Sequence, residues 1–186
     1  IGTYVKSQTQ TSIDVGDKAN DAVRVNGEHL RCKVVGEGGN LGFTQLGRIE
    51  AASAGVRINN DAVDNSAGVD TSDHEVNLKI LLDSPVRSGD LTMKQRNDLL
   101  HSLTDEVAEQ VLADNYAQNV LLGNARRGAA ALISVHGRMI RDLEERGVMA
   151  RAIEYLPSDE MMATRLAAGQ GLTSPELAVL MAYAKI

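Results

Sequence analysis

The sequence predicts an α/β fold that gives way to an all-α region. Two short runs of mainly apolar residues, at 30–35 and 56–58, flank one segment with helical spacing. A glycine-rich stretch, GEGGNLG at residues 36–42, separates the first run from that segment. From residue 91 onward the strand pattern disappears, and apolar residues recur at spacings of three and four, which is typical of helices.

The N-terminal part predicts short elements. Residues 4–5 indicate the end of a strand, and a weak helical spacing follows at 14–24. Asn-Gly at 26–27 is typical of a tight turn, and residues 30–35 predict a strand. The single cysteine, Cys32, lies in this run, so we expect a small buried side chain that forms no internal disulfide.

The next elements predict a βαβ unit. Thr44 is a suitable N-cap for a helix that extends to Ser53, and Gly55 suits the position just after its end. Residues 56–58 then predict a second strand. The order strand, helix, strand favours two parallel strands, because such crossovers connect parallel neighbours.

Polar residues dominate the following stretch. Residues 59–70 indicate turns, and a helix is expected from Ser72 or Asp73 up to a break at Ser84-Pro85. We therefore predict two domains, with residues 1–85 forming the sheet-containing part and residues 86–186 the helical part.

The helical part carries clear start signals. Thr92 and Gln95 fit a capping box ahead of an amphipathic pattern that reaches about residue 122. Further helices are expected within residues 126–146 and 159–168. A last helix is expected after Ser174 as cap, with Pro175 at its first position.

Composition excludes several classes of protein. The net charge is −6, aromatic residues make up 3% and tryptophan is absent, so nucleic acid is not an expected partner. No stretch approaches 18 consecutive apolar residues, so no membrane span is expected. We expect a cytoplasmic protein. Because the chain starts at Ile1 and stops within a helical pattern at Ile186, we expect a piece of a longer polypeptide.

Two stretches are candidates for ligand binding, because ligands of open α/β sheets bind beyond the carboxyl ends of strands. They are residues 36–42 and residues 61–72. Small residues let a ligand approach the main chain, and the amides of Asn40 and Asn65 each offer a donor and an acceptor. On spacing alone, ordinary turn geometry explains the glycines equally well, since they do not form the G-x-G-x-x-G fingerprint.

Other constellations predict no chemistry. Ser72 is followed by Asp73, His74 and Glu75, but neighbouring residues on a helix point in different directions. A local catalytic triad is therefore not expected, and for the same reason we predict no metal site. No catalytic residue is assigned within this chain.

The two candidate stretches resemble those of glutamate dehydrogenases, and the chain is most similar to the very large NAD-specific bacterial type. The segments that carry the resemblance are IGTYVK (1–6), VGDKANDAVRV (15–25), KVVGEGGNLGFTQLGRIE (33–50), RINNDAVDNSAGVDTSDHEVNLKILL (57–82) and GLTSPELAVLMAYAKI (171–186). The resemblance implies that residues 1–85 end a Rossmann-like NAD-binding domain.

The resemblance also implies roles for individual residues. Residues 37–42 match a family stretch E-G-A-N-G-P, and residues 65–72 match N-A-G-G-V-x-x-S, with Gly42 in place of the proline and Ser66-Ala67 in place of Ala-Gly. The residues implied at the cofactor NAD are Gly38, Gly39, Asn40 and Asn65. Those implied at the substrate glutamate are Gly68, Val69 and Ser72.

The activity implied by the resemblance is the oxidative deamination of L-glutamate to 2-oxoglutarate and ammonium, with hydride transfer to NAD. The family's catalytic lysines, its aspartate and its phosphate-binding turn belong upstream of Ile1, so this piece alone is expected to be inactive. The partners implied are the remainder of the same chain and further copies in an oligomer. The alternatives are a helical regulatory or assembly module and a stand-alone nucleotide-binding module.

Overall fold

The fold was analysed in a computed structural model, which describes residues 2–39 and 41–185. The chain forms two compact units. Unit 1 comprises the described parts of residues 1–64 and 119–186, and unit 2 comprises residues 65–118. The division at residue 85 between a nucleotide-binding part and a helical part stays a prediction.

Helices dominate the chain. The strands are β1 (Val5–Lys6) and β2 (Val25–Asn26), and 3₁₀ turns cover Lys18–Val23 and Gly27–His29. The α-helices are α1 (Ser12–Val15), α2 (Gln45–Ser53), α3 (Asp61–Asp64), α4 (Ser66–Ser88), α5 (Met93–Ser102), α6 (Thr104–Gly128), α7 (Ile133–Glu145), α8 (Asp159–Ala167) and α9 (Ser174–Lys185). Within the described residues, no helix is both long enough and apolar enough to cross a membrane.

The extended segments pair in parallel. Strands β1 and β2 form a two-stranded parallel sheet in which Val5 is opposite Val25. The predicted βαβ unit is present as a single parallel bridge between Val34 and Arg57, on either side of α2. The backbone N–H of Val35 donates to the carbonyl of Arg57 over 2.9 Å. The predicted parallel direction is therefore confirmed, but neither 30–35 nor 56–58 forms a strand, because the pairing is limited to this isolated bridge.

Helix α2 follows its sequence signals. The Thr44 side chain accepts a hydrogen bond from the backbone N–H of Gly47, so Thr44 is the N-cap. Gly55 has a φ of +99°, a left-handed conformation that strongly favours glycine. Ala51 of α2 and Ile58, which follows the helix, are both buried and belong to one small apolar cluster.

One carboxylate ties the N-terminal segments to α2. Glu50 accepts hydrogen bonds from the Ser7 hydroxyl (2.7 Å), the Gln8 N–H (2.8 Å) and the Glu28 N–H (3.0 Å). Burial acts to raise the pKa of Glu50, but these three donors outweigh it and the pKa is lowered. The ionised Glu50 carboxylate therefore stabilises the junction between the N-terminal segments and α2. This stabilisation is lost as the pH falls through the lowered pKa of Glu50.

Helix α4 differs from its prediction at both ends. It begins at Ser66, inside the stretch expected to form turns, because the buried Ser66 hydroxyl accepts a 2.7 Å hydrogen bond from Asn115 of α6. The predicted break at Ser84-Pro85 is wrong. Pro85 lies in the last turn, so the interruption affects only the end of a helix that stops at Gly89 in any case.

The region after residue 91 is helical, as predicted. The capping box of Thr92 and Gln95 is confirmed, with both reciprocal hydrogen bonds present. The single long helix expected to reach residue 122 is instead two helices, because α5 ends at Ser102 and α6 begins at Thr104. Gly123 does not end α6, which continues to Gly128.

Burial corrects one further expectation. Cys32 is exposed rather than buried. The backbone pairing with Arg57 begins at the carbonyl of residue 33, so Cys32 lies just before the paired segment. The main apolar core of unit 1 combines α7, α8 and α9 with the end of α6, and its buried members include Leu122, Ile133, Ile140, Met162 and Leu177.

The last helix begins one residue earlier than predicted. The Glu176 carboxylate accepts hydrogen bonds from both the N–H and the hydroxyl of Thr173, each over 2.7 Å. Thr173 therefore takes the capping role that the sequence assigned to Ser174. Arg165 of α8 adds two hydrogen bonds to the same carboxylate, at 2.8 and 2.9 Å.

The lowered pKa of a histidine on α7 makes the free energy of unfolding depend on pH. Burial lowers the pKa of His136, and its Nδ1 has no hydrogen-bond partner among the described residues. The unfolded chain binds the proton more readily, so stability should fall as the pH drops below the ordinary value of about 6.5. Urea unfolding should show that the free energy of unfolding falls less across this pH range in His136→Gln than in the parent protein. The control is His101→Gln, which replaces an exposed histidine of α5 and should retain the pH dependence of the parent. The same slope of unfolding free energy against pH in the parent and both variants would contradict the prediction.

Candidate functional site

A buried ion pair organises the glycine-rich segment at residues 36–42. The side chains of Glu37 and Arg48 are both 5% exposed, and Glu37 Oε2 lies 2.7 Å from Arg48 Nη2. Arg48 Nε donates a second hydrogen bond to the same oxygen over 2.9 Å. Arg48 is on α2, so this pair fastens the start of the segment to the helix that follows it.

The other oxygen of Glu37 closes the segment. Oε1 accepts from the backbone N–H of Gly42 over 2.5 Å and from that of Phe43 over 3.3 Å. The Gly42 carbonyl in turn accepts from the N–H groups of Tyr4 and Val5, at 2.8 and 3.1 Å, so the exit is held against β1. One side chain thus brings the two ends of a seven-residue stretch together.

Helix α3 supplies further acceptors to the same segment. Asp61 lies 3.4 Å from Arg48 Nη2 and accepts from the Leu41 N–H, also over 3.4 Å. Asp64 accepts from the Glu37 N–H over 3.3 Å and from the Asn59 amide over 3.0 Å. The two ends of α3 therefore contact the two sides of the glycine-rich segment.

A cavity of about 280 Å³ lies where the paired extended segments end. Its lining includes backbone and side chains from residues 34–36 and 57–59, which follow the two parallel-paired positions. The remaining lining residues are Asp64, Asn119, Gly123, Arg126 and Ser174. The carboxyl ends of parallel strands are where open α/β sheets bind their ligands, so we take this cavity as the candidate site.

The lining of the cavity combines apolar residues with polar side chains of both charges. Arg57 and Arg126 contribute guanidinium groups, and Asp64 contributes a carboxylate. The amide of Asn59 donates to Asp64 and also to the Asn119 side chain, over 3.0 Å in each case. The site can therefore bind an anionic group beside hydrogen-bonding groups, which suits a polar organic ligand.

The fold itself does not require glycine at two positions of this segment. A Cβ atom added to Gly36 or Gly38 would meet no atom within 4 Å, and neither residue has a positive φ. Gly36 lines the cavity. An alanine would fit the chain at both positions, so the reason for glycine lies outside the contacts within the described residues.

The predicted cofactor residues divide between the two units. Gly38 and Gly39 are exposed in the glycine-rich segment of unit 1. Asn40 lies outside the described residues. Asn65 is in unit 2, at the position before α4, and its side chain makes no cap hydrogen bond.

The predicted substrate residues lie in a helix, not in the turns expected from the sequence. Gly68, Val69 and Ser72 belong to the first two turns of α4. With Asn65 they are spaced i, i+3, i+4 and i+7, which places them along one helix face. Val69 is 62% exposed, and the Ser72 hydroxyl makes only a 3.5 Å contact with the Gly68 carbonyl. The face is thus accessible for binding within unit 2.

Several residues of the site were missed at the sequence level. Glu37 and Arg48 gave no local signal, because their pairing joins residues 11 positions apart. Arg126 lines the cavity although no motif or strand end in the sequence singles it out. Arg57 and Asn59 directly follow the second extended segment, so their position beyond a strand end was the one signal that could have found them.

Comparison with known proteins identifies the family. A family model described as bacterial NAD-glutamate dehydrogenase, catalytic domain, matches residues 1–125. The chain belongs to this family. It is 57% identical over 186 residues to the NAD-specific glutamate dehydrogenase of Pseudomonas aeruginosa, and 58% identical over 187 residues to that of Mycobacterium tuberculosis. The protein of the same name from Halomonas elongata is 56% identical over 185 residues.

The bacterial NAD-glutamate dehydrogenase match covers the candidate site almost completely. The glycine-rich segment, α3, Arg57 and Asn119 all fall within the matched residues 1–125, whereas Arg126 and Ser174 lie beyond them. All of this chain aligns with each of the three relatives, and it spans 12% of the length of each.

Proposed function

We propose that this chain is part of an NAD-dependent glutamate dehydrogenase and contributes one side of its cofactor site. The observation that carries the proposal is the cavity at the carboxyl ends of the paired segments, beside a segment in which the fold itself does not require glycine at positions 36 and 38. The family match supports the choice of NAD and glutamate. On this proposal, residues 1–85 belong to a Rossmann-like nucleotide-binding domain whose remaining strands lie elsewhere in the polypeptide.

The glycine-rich segment positions the nicotinamide in this proposal. Gly38 and Gly39 let the backbone contact a flat ring closely, and Asn40 supplies an amide for the carboxamide group. NAD held by these residues would supply the hydride acceptor, and hydride transfer would require them to hold the ring about 3–3.5 Å from the substrate carbon. The contribution of these residues is position, and Glu37 keeps the segment folded for it.

The cavity residues bind the polar remainder of the cofactor in this proposal. A volume of about 280 Å³ is near the lower end for small-molecule sites, so it suits one portion of a dinucleotide. Arg57 and Arg126 provide positive charge for a phosphate group, and Asn59 offers hydrogen bonds to hydroxyl groups.

Helix α4 binds the substrate in this proposal. On this proposal Asn65 takes part in cofactor binding, and the exposed Val69 beside Gly68 contacts the carbon chain of glutamate. Ser72 donates its hydroxyl to the side-chain carboxylate, replacing the long contact that it makes with the Gly68 carbonyl. No catalytic residue is proposed in this chain.

The decisive test is an assay of the whole polypeptide. NADH production should be measured with L-glutamate and with a panel of other amino acids, including L-aspartate, L-alanine and L-leucine. We expect turnover with L-glutamate and NAD, and little with the other substrates. The absence of NADH production from glutamate by a folded, full-length protein would contradict the proposal.

Gly38→Ala separates ligand binding from folding. Because an alanine fits at this position, the change should leave stability equal or raise it by up to about 1 kcal/mol. In the whole enzyme it should raise the Kd for NADH at least tenfold, measured by NADH fluorescence. Gly128→Ala is the matched control, since its added Cβ makes only ordinary contacts away from the cavity. Unchanged NADH affinity in Gly38→Ala would contradict the proposed role of the segment.

Two side chains test the assignment of binding roles. Ser72→Ala should lower kcat/KM at least tenfold, since a hydrogen bond to the charged carboxylate contributes about 1.5–3 kcal/mol, and Asn40→Ala should lower it severalfold or more, since each hydrogen bond to the neutral carboxamide contributes about 0.5–1.5 kcal/mol. Ser53→Ala is a matched control for Ser72, because its exposed hydroxyl also donates to the carbonyl four residues earlier. Near-normal kinetics for both site variants would remove these assignments.

A second candidate function is supported by exposed apolar residues in unit 2. Ile80, Leu81 and Leu112 are 65%, 68% and 69% exposed. Such surface is typical of helices that contact other protein, so this part of the chain also suits a helical assembly module. If this part of the chain is an assembly module, the double variant Leu81→Asp with Leu112→Asp should reduce the oligomeric mass of the whole protein in light scattering.

We further propose that the enzyme is oligomeric and cytoplasmic, with its cysteine Cys32 reduced.

A further inference from the structure

Three potential metal ligands converge in unit 2, outside the candidate site. Asp70 and His74 lie on α4 and Asp114 lies on α6. One ligand atom from each residue lies within 4.8 Å of the other two. Asp70 and His74 are spaced i, i+4, so they share one helix face. No local sequence pattern reveals this grouping, because Asp114 lies 40 positions beyond His74 in the chain.

The carboxylate of Asp70 is incompletely satisfied. Its Oδ2 atom is buried and has no hydrogen-bond partner among the described residues, while Oδ1 lies 3.7 Å from His74 Nε2. A buried oxygen without a partner is costly, particularly on a carboxylate. This observation is independent of the grouping of the three residues, and it indicates that the site favours a positively charged ligand.

The surroundings also favour a cation. A cavity of about 360 Å³ is lined by Asp70, His74 and Asp114 together with Asp73, Asn77, Leu78 and Leu81. Lys and Arg are absent from this lining, so the carboxylates are not neutralised by a basic residue of the cavity. The oxygens of Asp73 and Asn77 are additional potential ligands or second-shell partners.

We propose that Asp70, His74 and Asp114 bind a divalent transition-metal ion, with Zn²⁺ the best match. Zinc accepts both imidazole nitrogen and carboxylate oxygen as ligands, and three protein ligands leave a fourth position for water. An imidazole ligand disfavours Mg²⁺ and Ca²⁺, which prefer oxygen. The proposal does not rest on the dehydrogenase activity.

The geometry requires only a small adjustment. Zinc–ligand bonds of about 2.0–2.2 Å in a tetrahedral site place ligand atoms roughly 3.4 Å apart. The observed limit of 4.8 Å is therefore larger by about 1.4 Å. Asp114 is exposed, so a rotation of its side chain can close this gap without moving the helices. Bound metal would link α4 to α6.

Zinc binding to the purified whole polypeptide tests the proposal. After treatment with a chelator, bound Zn²⁺ per chain and its Kd are measured by competition with a zinc indicator dye. His74→Ala and Asp114→Asn should each bind one Zn²⁺ fewer per chain, or bind it more than ~100-fold more weakly, because loss of a ligand exceeds the effect of second-shell changes. His101→Ala, which changes an exposed histidine of the same unit, should behave as the parent protein.

Hydrogen exchange provides a second measurement that also monitors folding. Zn²⁺ should slow amide exchange within residues 66–81 and 104–118 of the parent protein and of His101→Ala, but not of His74→Ala. Without metal, the variants should exchange as the parent does, which shows that the helices remain folded. Equal zinc stoichiometry and affinity in the parent, His74→Ala and Asp114→Asn would overturn the proposal, as would a zinc effect on exchange that survives both substitutions.

Discussion

Replacing Glu37 by alanine is expected to lower the free energy of unfolding by about 3–5 kcal/mol. The change leaves the guanidinium of Arg48 buried, with Asp61 at 3.4 Å as its remaining carboxylate. It also removes the acceptor for the backbone N–H groups of Gly42 and Phe43. A buried charge that loses its partner costs more than the pair contributes while it is intact, which is why the expected effect is large.

Urea unfolding of the chain, followed by circular dichroism, measures this loss. Glu28→Ala is the matched control, because Glu28 is an exposed glutamate and its side chain contacts only the exposed His29. The control should change the free energy by no more than about 0.5 kcal/mol. Glu37→Gln keeps an acceptor for Gly42 but removes the charge, so its effect should fall between the two. If the alanine variant is as stable as the control, Glu37 does not hold the segment.

The parts of the fold that the sequence predicted depend on local interactions. The cap of α2 needs only Thr44 and the backbone N–H of Gly47, three residues away. The capping box at Thr92 and Gln95 spans the same short distance. Such signals are complete within one turn of helix, so they can be recognised without knowing what packs against the helix.

The parts that were predicted wrongly depend on distant partners. The start of α4 is held by a hydrogen bond between Ser66 and Asn115, 49 positions apart. Small polar residues favour turns when considered alone, and this long-range contact is one interaction that favours the helix instead. The break expected at Pro85 is wrong for a different reason: the proline removes one backbone N–H from the last turn, and the helix continues through it only to Ser88.

The residues of the candidate site also divide into those that a local stretch of sequence identifies and those that depend on tertiary packing. The resemblance selected Asn65, Gly68, Val69 and Ser72, and the helix gives these residues a common face that the expected turns would not provide. The chemistry around the cavity was not predictable in this way. Arg126 approaches Arg57 only because α6 packs beside the ends of the paired segments, a tertiary arrangement that no local pattern encodes.

Replacing Glu176 by alanine should cost a similar amount, about 3–5 kcal/mol, by the same physical effect in a different place. Glu176 is 1% exposed, and its carboxylate accepts two hydrogen bonds from Arg165 and two from Thr173. The substitution leaves the Arg165 guanidinium without these bonds and removes the cap of α9. Urea unfolding should show the loss, whereas Glu160→Ala should lose no more than about 1 kcal/mol, since Glu160 is an exposed acid in the first turn of α8.

A double substitution distinguishes a costly unpaired charge from a net attraction between the pair. If burial of the lone Arg165 causes most of the loss, Arg165→Met combined with Glu176→Leu should be more stable than Glu176→Ala, because no charge is left unpaired. The Thr173 N–H still loses its acceptor, so we expect the double variant to remain about 1 kcal/mol below the parent. A double variant less stable than Glu176→Ala would show instead that the attraction between the two side chains exceeds the cost of removing them from water.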